Sequence, residues 1–253
     1  MKFCLKAAAM SVAAMVIASG SASAQTFNTT GNMADNGTYG NEIYFTPTDH
    51  TSSLQLRVTG WQSNQSNNAI TKAWVGAYGP GLGVTGYSDA SGNYGYHQVD
   101  NAFGYTDFVM LQFSAPVVLK SLDLNSFTMG ASTVKDNDMA FYAASVPEAR
   151  WNSAIDLTDY VTAPSLWTTA AGTGKDGVVS TGASIASKEW LVGAAFNSGN
   201  NDGFKIASIT VAPSVGAVPE PASWAMMILG VGLVGGSLRG RRVRVTTGAL
   251  SQA

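Results

Sequence analysis

Between residues 42 and 211 the chain alternates apolar and polar positions in short runs separated by polar turns. Leu54, Leu56 and Val58 fall on one side of an extended chain, and Gln55, Arg57 and Thr59 on the other. Phe204, Ile206, Ile209 and Val211 repeat the pattern with one slip. A period of two marks strands with one buried face. Such runs predict strands over Glu42–Phe45, Leu54–Trp61, Ile70–Tyr78, Phe108–Phe113, Val117–Leu124, Met139–Val146, Trp190–Phe196 and Phe204–Val211. About eight such strands predict an all-β domain over 25–211, a single antiparallel β-sandwich of jelly-roll type. The lead-in to Gly40 reads as poor in strand, with Asp35-Asn36-Gly37 a turn. Gly79–Asn93 reads as a Gly-rich surface loop, Ala149–Tyr160 as a short helix, and Leu166–Ser187 as a long loop with at most one small strand. Residues 212–218 have linker composition, and no tandem repeat is present.

The alternation stops at both ends. Lys2 and Lys6, the apolar run Ala7–Ile17, and the small residues Ala22, Ser23 and Ala24 before Gln25 form a secretory signal peptide over 1–24. Gln25 is then the mature start. The single cysteine, Cys4, precedes the apolar run and leaves with it, so the mature protein has no thiol chemistry. At the other end, Ala222–Leu238 holds no charge and is apolar all round. Its 17 residues lie at the short limit for spanning a bilayer. Gly230, Gly232, Gly235 and Gly236 are tolerated in membrane helices. Arg239, Arg241, Arg242 and Arg244 mark the cytoplasmic end of such a helix, and Trp224 stands where an aromatic belt residue belongs. This places the domain outside the cytoplasm.

Residues 219–244 closely resemble the PEP-CTERM sorting signal, in its PEPxxWA variant, through Pro219, Glu220, Pro221, Trp224 and Ala225, the apolar run and the arginines. The resemblance implies an exported protein of a Gram-negative bacterium that makes exopolysaccharide. It also implies recognition of Pro-Glu-Pro by the membrane protease exosortase. Signals of this type also occur on some ice-binding proteins. A plain C-terminal anchor is the blander reading, and the polar tail 245–253 departs from the usual pattern. In the middle of the chain, Gly83-Val84-Thr85, His97-Gln98-Val99-Asp100-Asn101, Asp107–Phe113 and Asp136-Asn137-Asp138 are similar to the exosortase-dependent surface protein family. Glu189–Ala194 and Asp202–Ile206 extend that likeness, which carries no established chemistry.

Charge narrows the partners. Six of the 14 Lys and Arg lie in the two end segments, leaving 8 in the released chain against the 16 Asp and Glu between Asp35 and Glu220, a formal charge of −8. Nucleic-acid binders carry a basic face, so that class is excluded. Histidine is limited to His50 and His97, and no Gly-x-Ser-x-Gly elbow is present. No catalytic residue is assigned and an enzyme is not expected. His97 is expected to start a strand or tether a loop, and His50 to lie exposed in a turn. Asp100, Asp107, Asp136 and Asp138 are candidates for calcium, which prefers clustered oxygens. The alternative is that they make Asx-turns at strand entrances. Tyr87, Tyr94, Tyr96, Trp151 and Trp167 are candidates for stacking on sugar rings, or else close the ends of the sandwich.

The expected protein is therefore exported by the secretion machinery, held transiently in the inner membrane and processed by exosortase. It then joins the cell surface or an exopolysaccharide-rich biofilm matrix. Alternatives are a secreted carbohydrate-binding module and, less favoured, an ice-binding protein or a polysaccharide hydrolase.

Overall fold

A computed structural model describes residues 23–32, 39–50, 52–86, 97–129, 133–144, 157, 167–196, 202–214 and 226–233. The chain divides into a unit Ala22–Ser214 and a second comprising Met1–Ser21 and Val215–Ala253. The first is built from strands: β1 (Gln25–Asn28), β2 (Glu42–Phe45), β3 (Leu56–Asn64), β4 (Ile70–Tyr78), β5 (Gly81–Thr85), β6 (Val99–Asp100), β7 (Tyr105–Ser126), β8 (Met139–Ala144), β9 (Thr168–Ala170), β10 (Gly177–Ser180), β11 (Ser187–Ala194) and β12 (Gly203–Pro213). In the second unit a helix, α1, spans 226–233.

The long strand β7 organises the sheet. Its first half, to Phe113, pairs with β3 on one side and with β11 on the other. Its second half, from Val117, pairs with β12 and β10. The sequence suggests two strands here because Ser114-Ala115-Pro116 interrupts the apolar pattern. The backbone stays extended through them, with Ala115 and Pro116 exposed. Proline lacks the N–H that a continuous ladder needs. Here the interruption coincides with an exchange of partners.

Because β7 changes neighbours, the sheet closes. β12 pairs β5, β5 pairs β4, β4 pairs β3, β3 pairs β7 and β7 pairs β12. The result is a small antiparallel barrel with extra strands rather than the expected two-sheet sandwich. A strand shared by two faces removes the gap that would separate two sheets, and closure removes free edges. Leu56, Val58, Val75, Leu82, Leu111, Phe113, Leu122, Phe204 and Ile209 fill the main core. A second cluster holds Trp61, Phe108, Met110, Leu191 and Trp167.

The slip in the pattern of β12 is a bulge. Its register with β7 shifts between Ile206 and Ser208, leaving Ala207 out. The Ala207 carbonyl accepts from Thr29 N–H (3.0 Å) instead. A second shift, between Thr210 and Val211, passes over Lys120 of β7. An extra residue in one strand flips the alternation beyond it.

The Gly-rich stretch after Gly79, expected to be a loop, supplies β5, buried at every position. Gly81 has φ +128°, and a Cβ at Gly83 would collide with the His97 carbonyl. Glycines here permit close packing of backbone on backbone, which composition alone cannot distinguish from loop character. The lead-in also holds a strand: β1 pairs with β12, placing Gln25 opposite Val211. The Leu166–Ser187 region holds two strands, β9 and β10. Ala212 and Pro213 belong to β12, so the fold runs past the predicted linker boundary at 212. Of the helix expected over Ala149–Tyr160, only Leu157, buried, lies among the described residues.

Candidate functional site

The four aspartates singled out from sequence part company. Asp136 and Asp138 are joined by Asp202, three carboxylates within 4.8 Å of one another. A parallel bridge between Asp136 and Asp202, just before β12, brings them together across the chain. Asp202 is fully buried. Its Oδ2 accepts from Asn101 Nδ2 (2.6 Å), and its Oδ1 from Asp138 N–H (3.1 Å). Asp202 N–H donates to Asn101 Oδ1 (3.1 Å), and Gly203 N–H to the Asp136 carbonyl (3.0 Å). Asp138 Oδ1 accepts from Gly172 N–H (2.7 Å), while Asn137 Oδ1 accepts from Gly174 N–H (2.8 Å). Short polar side chains thus tie the exit of β6 and the entrances of β8 and β12 to the segment after β9.

Three oxygens this close suit a hard cation such as calcium. Yet Asp136 Oδ1 accepts from Asn137 N–H (2.9 Å), so each carboxylate already receives an amide. That is the turn and tether chemistry of Asp and Asn at strand entrances. Asp100 behaves the same way: its Oδ1 accepts from Ala102 N–H (3.0 Å) in an Asx-turn. Asp107 lies buried opposite Gln62 in β3, and neither it nor Asp100 joins the cluster. Asp202 was not among the sequence candidates. The Asp-Gly pair before an alternating strand was a usable signal, but only the fold brings it to residues 136–138.

His97 has φ +39°, unusual for a residue with a Cβ. Its Nδ1 hydrogen-bonds Thr85 Oγ1 on β5. Its ring stacks on Tyr78 (5.5 Å, 4°) and meets Trp74 edge-on (5.4 Å, 85°). It therefore tethers the entrance of β6 to β4 and β5, as expected. Across the same aromatic group, Lys205 Nζ lies 3.8 Å from the Tyr78 ring centre. Burial pushes this ammonium down to about 8 and the Tyr78 phenol up. On β11, burial pushes the Glu189 carboxyl up to about 7, partly offset by Lys188. His50 is exposed, with φ +52°.

At the exit from the domain, Pro213 sits opposite Val117, and Ser214 N–H donates to the Pro116 carbonyl (3.1 Å). In the second unit, α1 has Met226 45% and Ile228 69% exposed. No helix among the described residues is long and apolar enough to cross a membrane. α1 lies within the apolar run 222–238, whose remainder is outside the described residues, as are Pro219, Glu220, Pro221, Trp224, Ala225, Arg239, Arg241, Arg242 and Arg244. Residues 217–242 match the family model of the PEP-CTERM protein-sorting motif. The chain carries a PEP-CTERM sorting signal. No curated protein and no solved structure matches the chain.

A PEP-CTERM signal makes this an exosortase-targeted protein, exported through the membrane to the cell surface. At the other end of the PEP-CTERM protein, Ala22 lies outside the described residues, Ala24 is exposed and Gln25 opens β1. Of the aromatic candidates, Tyr87, Tyr94, Tyr96 and Trp151 also lie outside them. Trp167 is 9% exposed and packed on Phe108 (5.5 Å), Tyr142 (6.4 Å) and Phe196 (4.9 Å). It is core, not a platform for sugar. An open groove of about 520 Å³ runs between β9 and β10, lined by Thr169, Thr173, Lys175, Val178 and Ser180.

Proposed function

We propose that this is a non-enzymatic structural or adhesive protein of the bacterial surface or extracellular matrix, released from the inner membrane by exosortase. The observation that carries the reading is the PEP-CTERM motif at 217–242. A signal peptide over 1–24 takes the chain to the secretion machinery, and the apolar run 222–238 halts in the inner membrane with its arginines inside. Glu220 and the flanking prolines are then the recognition element, Trp224 and the apolar run set its depth, and Arg239–Arg244 set orientation. Support for a non-catalytic role comes from the sparse histidine: His97 is engaged by Thr85, Tyr78 and Trp74.

Intact mass and fractionation in a host with an active exosortase test this. The expected mature species begins at Gln25, ends between Pro219 and Ala222, and is found outside the inner membrane. Glu220→Ala is expected to remain in that membrane at full length. A wild-type protein that keeps Arg239–Arg244 and stays in the inner membrane defeats the reading.

A further inference from the structure

The domain's two connections to the membrane-directed segments leave from one end of the fold. β1 starts opposite the end of β12, Gln25 facing Val211. β12 then closes against β7, Pro213 facing Val117, and its last hydrogen bond is Ser214 N–H to Pro116. At the same end, Thr48 N–H donates to the Thr26 carbonyl (2.8 Å). The ladder cannot continue there, since Pro116 and Pro213 have no N–H to offer. Seven residues lie between Ile17, the end of the first apolar run, and Gln25; seven also lie between Ser214 and Ala222, the start of the second.

Magnitudes turn this symmetry into a constraint. From Ser214 to Glu220 is six residues, about 20 Å fully extended and about 13 Å as a flexible coil. A folded unit the size of Ala22–Ser214 has a radius of gyration of about 16 Å. Even fully extended, the connection spans only about half of the roughly 40 Å across a body with that radius of gyration. A protease reaching Glu220 meets folded protein before it meets free chain, and the part it meets is fixed by where Ser214 emerges.

We propose that the pole formed by Gln25, Ser114–Pro116 and Val211–Ser214 is the docking face for the membrane protease that cuts the signal. This rests on the exosortase reading above and adds a surface to it. The enzyme accommodates a folded pole as well as the Pro-Glu-Pro tripeptide, so substrates are selected by the distance between motif and fold. Ala115 and Pro116, exposed midway along β7, are the side chains presented to it.

The test follows cleavage of the full chain in a host with active exosortase. Deleting Val215 and Gly216 draws the motif about 7 Å toward the fold, and cleavage is expected to slow at least tenfold. Ala115→Glu, a surface change on the pole, is expected to slow it at least threefold. Inserting twelve Gly/Ser residues after Ser214 is expected to remove the effect of Ala115→Glu. Unchanged melting of the folded unit in each variant excludes misfolding as the cause. Cleavage of the deletion and of Ala115→Glu within twofold of wild type overturns the docking face, as does an Ala115→Glu defect that survives the insertion. If the wild type is cleaved and Glu220→Ala is not, those outcomes sink the docking face alone. If the wild type is never cleaved, the exosortase reading falls and takes this proposal with it.

Discussion

Two of the buried ionisable residues, Lys205 and Glu189, tilt the stability of the folded domain with pH. Lys205 is held low, to about 8, by burial. Between pH 8 and 10.5 the unfolded chain binds its proton more tightly than the fold does, so its contribution rises with pH across that window. Glu189, raised to about 7, acts in the opposite direction: the fold holds its proton more tightly between pH 4.5 and 7, so its stabilisation is lost as pH rises through that range. Melting temperatures are therefore expected to dip near pH 7 to 8. Lys205→Met is expected to add about 1–2 kcal/mol at pH 7 and little at pH 10.5. Glu189→Gln is expected to flatten the acid limb, seen in melts at pH 5 and 7.5. A Lys205→Met protein less stable than wild type at pH 7 would show that the ring contact at Tyr78 outweighs burial. Neither residue stands out in the sequence, where Lys and Glu inside alternating strands read as solvent-facing.

Among the elements, β5 and β12 show how local pattern and tertiary packing divide the work. Gly83 has no room for a side chain because the His97 backbone lies against it. Gly83→Val is expected to cost about 2–4 kcal/mol in urea unfolding. A variant within 0.5 kcal/mol of wild type would mean that His97 gives way. In β12 the bulge at Ala207 sets which side chains enter the core. Deleting Ala207 leaves Phe204, Ile206, Ile209 and Val211 in unbroken alternation against β7, so a cooperative melt by circular dichroism is expected to survive, at a cost of about 1–3 kcal/mol for the lost acceptor of Thr29 N–H. Loss of the transition would show that the bulge itself holds the register. The slip was visible in the sequence as a break in alternation. The partner that absorbs it, Thr29, was not.

For the whole molecule, the ladder between β1 and β12 is complete within Gln25–Pro213. Release near Pro219 and removal of residues 1–24 therefore leave it intact. The released domain is expected to melt within about 2 °C of the same domain in the uncut chain, a shift below that of 1 kcal/mol. Removing Gln25–Asn28 as well takes Phe27 from the core, where it is fully buried, and is expected to cost about 3–5 kcal/mol. Differential scanning calorimetry on the two products separates these outcomes.

The sequence alone determined the strand-rich class, most strands of the barrel and the sorting signal. Glu42–Phe45 and Ile70–Tyr78 were legible to the residue, because period-two burial is a property of contiguous chain. The signal was legible because its recognition depends on order along the chain: a tripeptide, an apolar run and a basic cluster. Tertiary structure decided what depends on residues far apart. It joined two predicted strands into β7 by giving each half a different partner, made β5 from a Gly-rich stretch by burying backbone on backbone, and moved Trp167 into the second core. It also brought Asp202 to Asp136 and Asp138, and put the entrance and exit of the domain at one pole. Alternation specifies which face of a strand is buried; it carries no information about which strand lies beside it, and closure of the barrel is made of those choices.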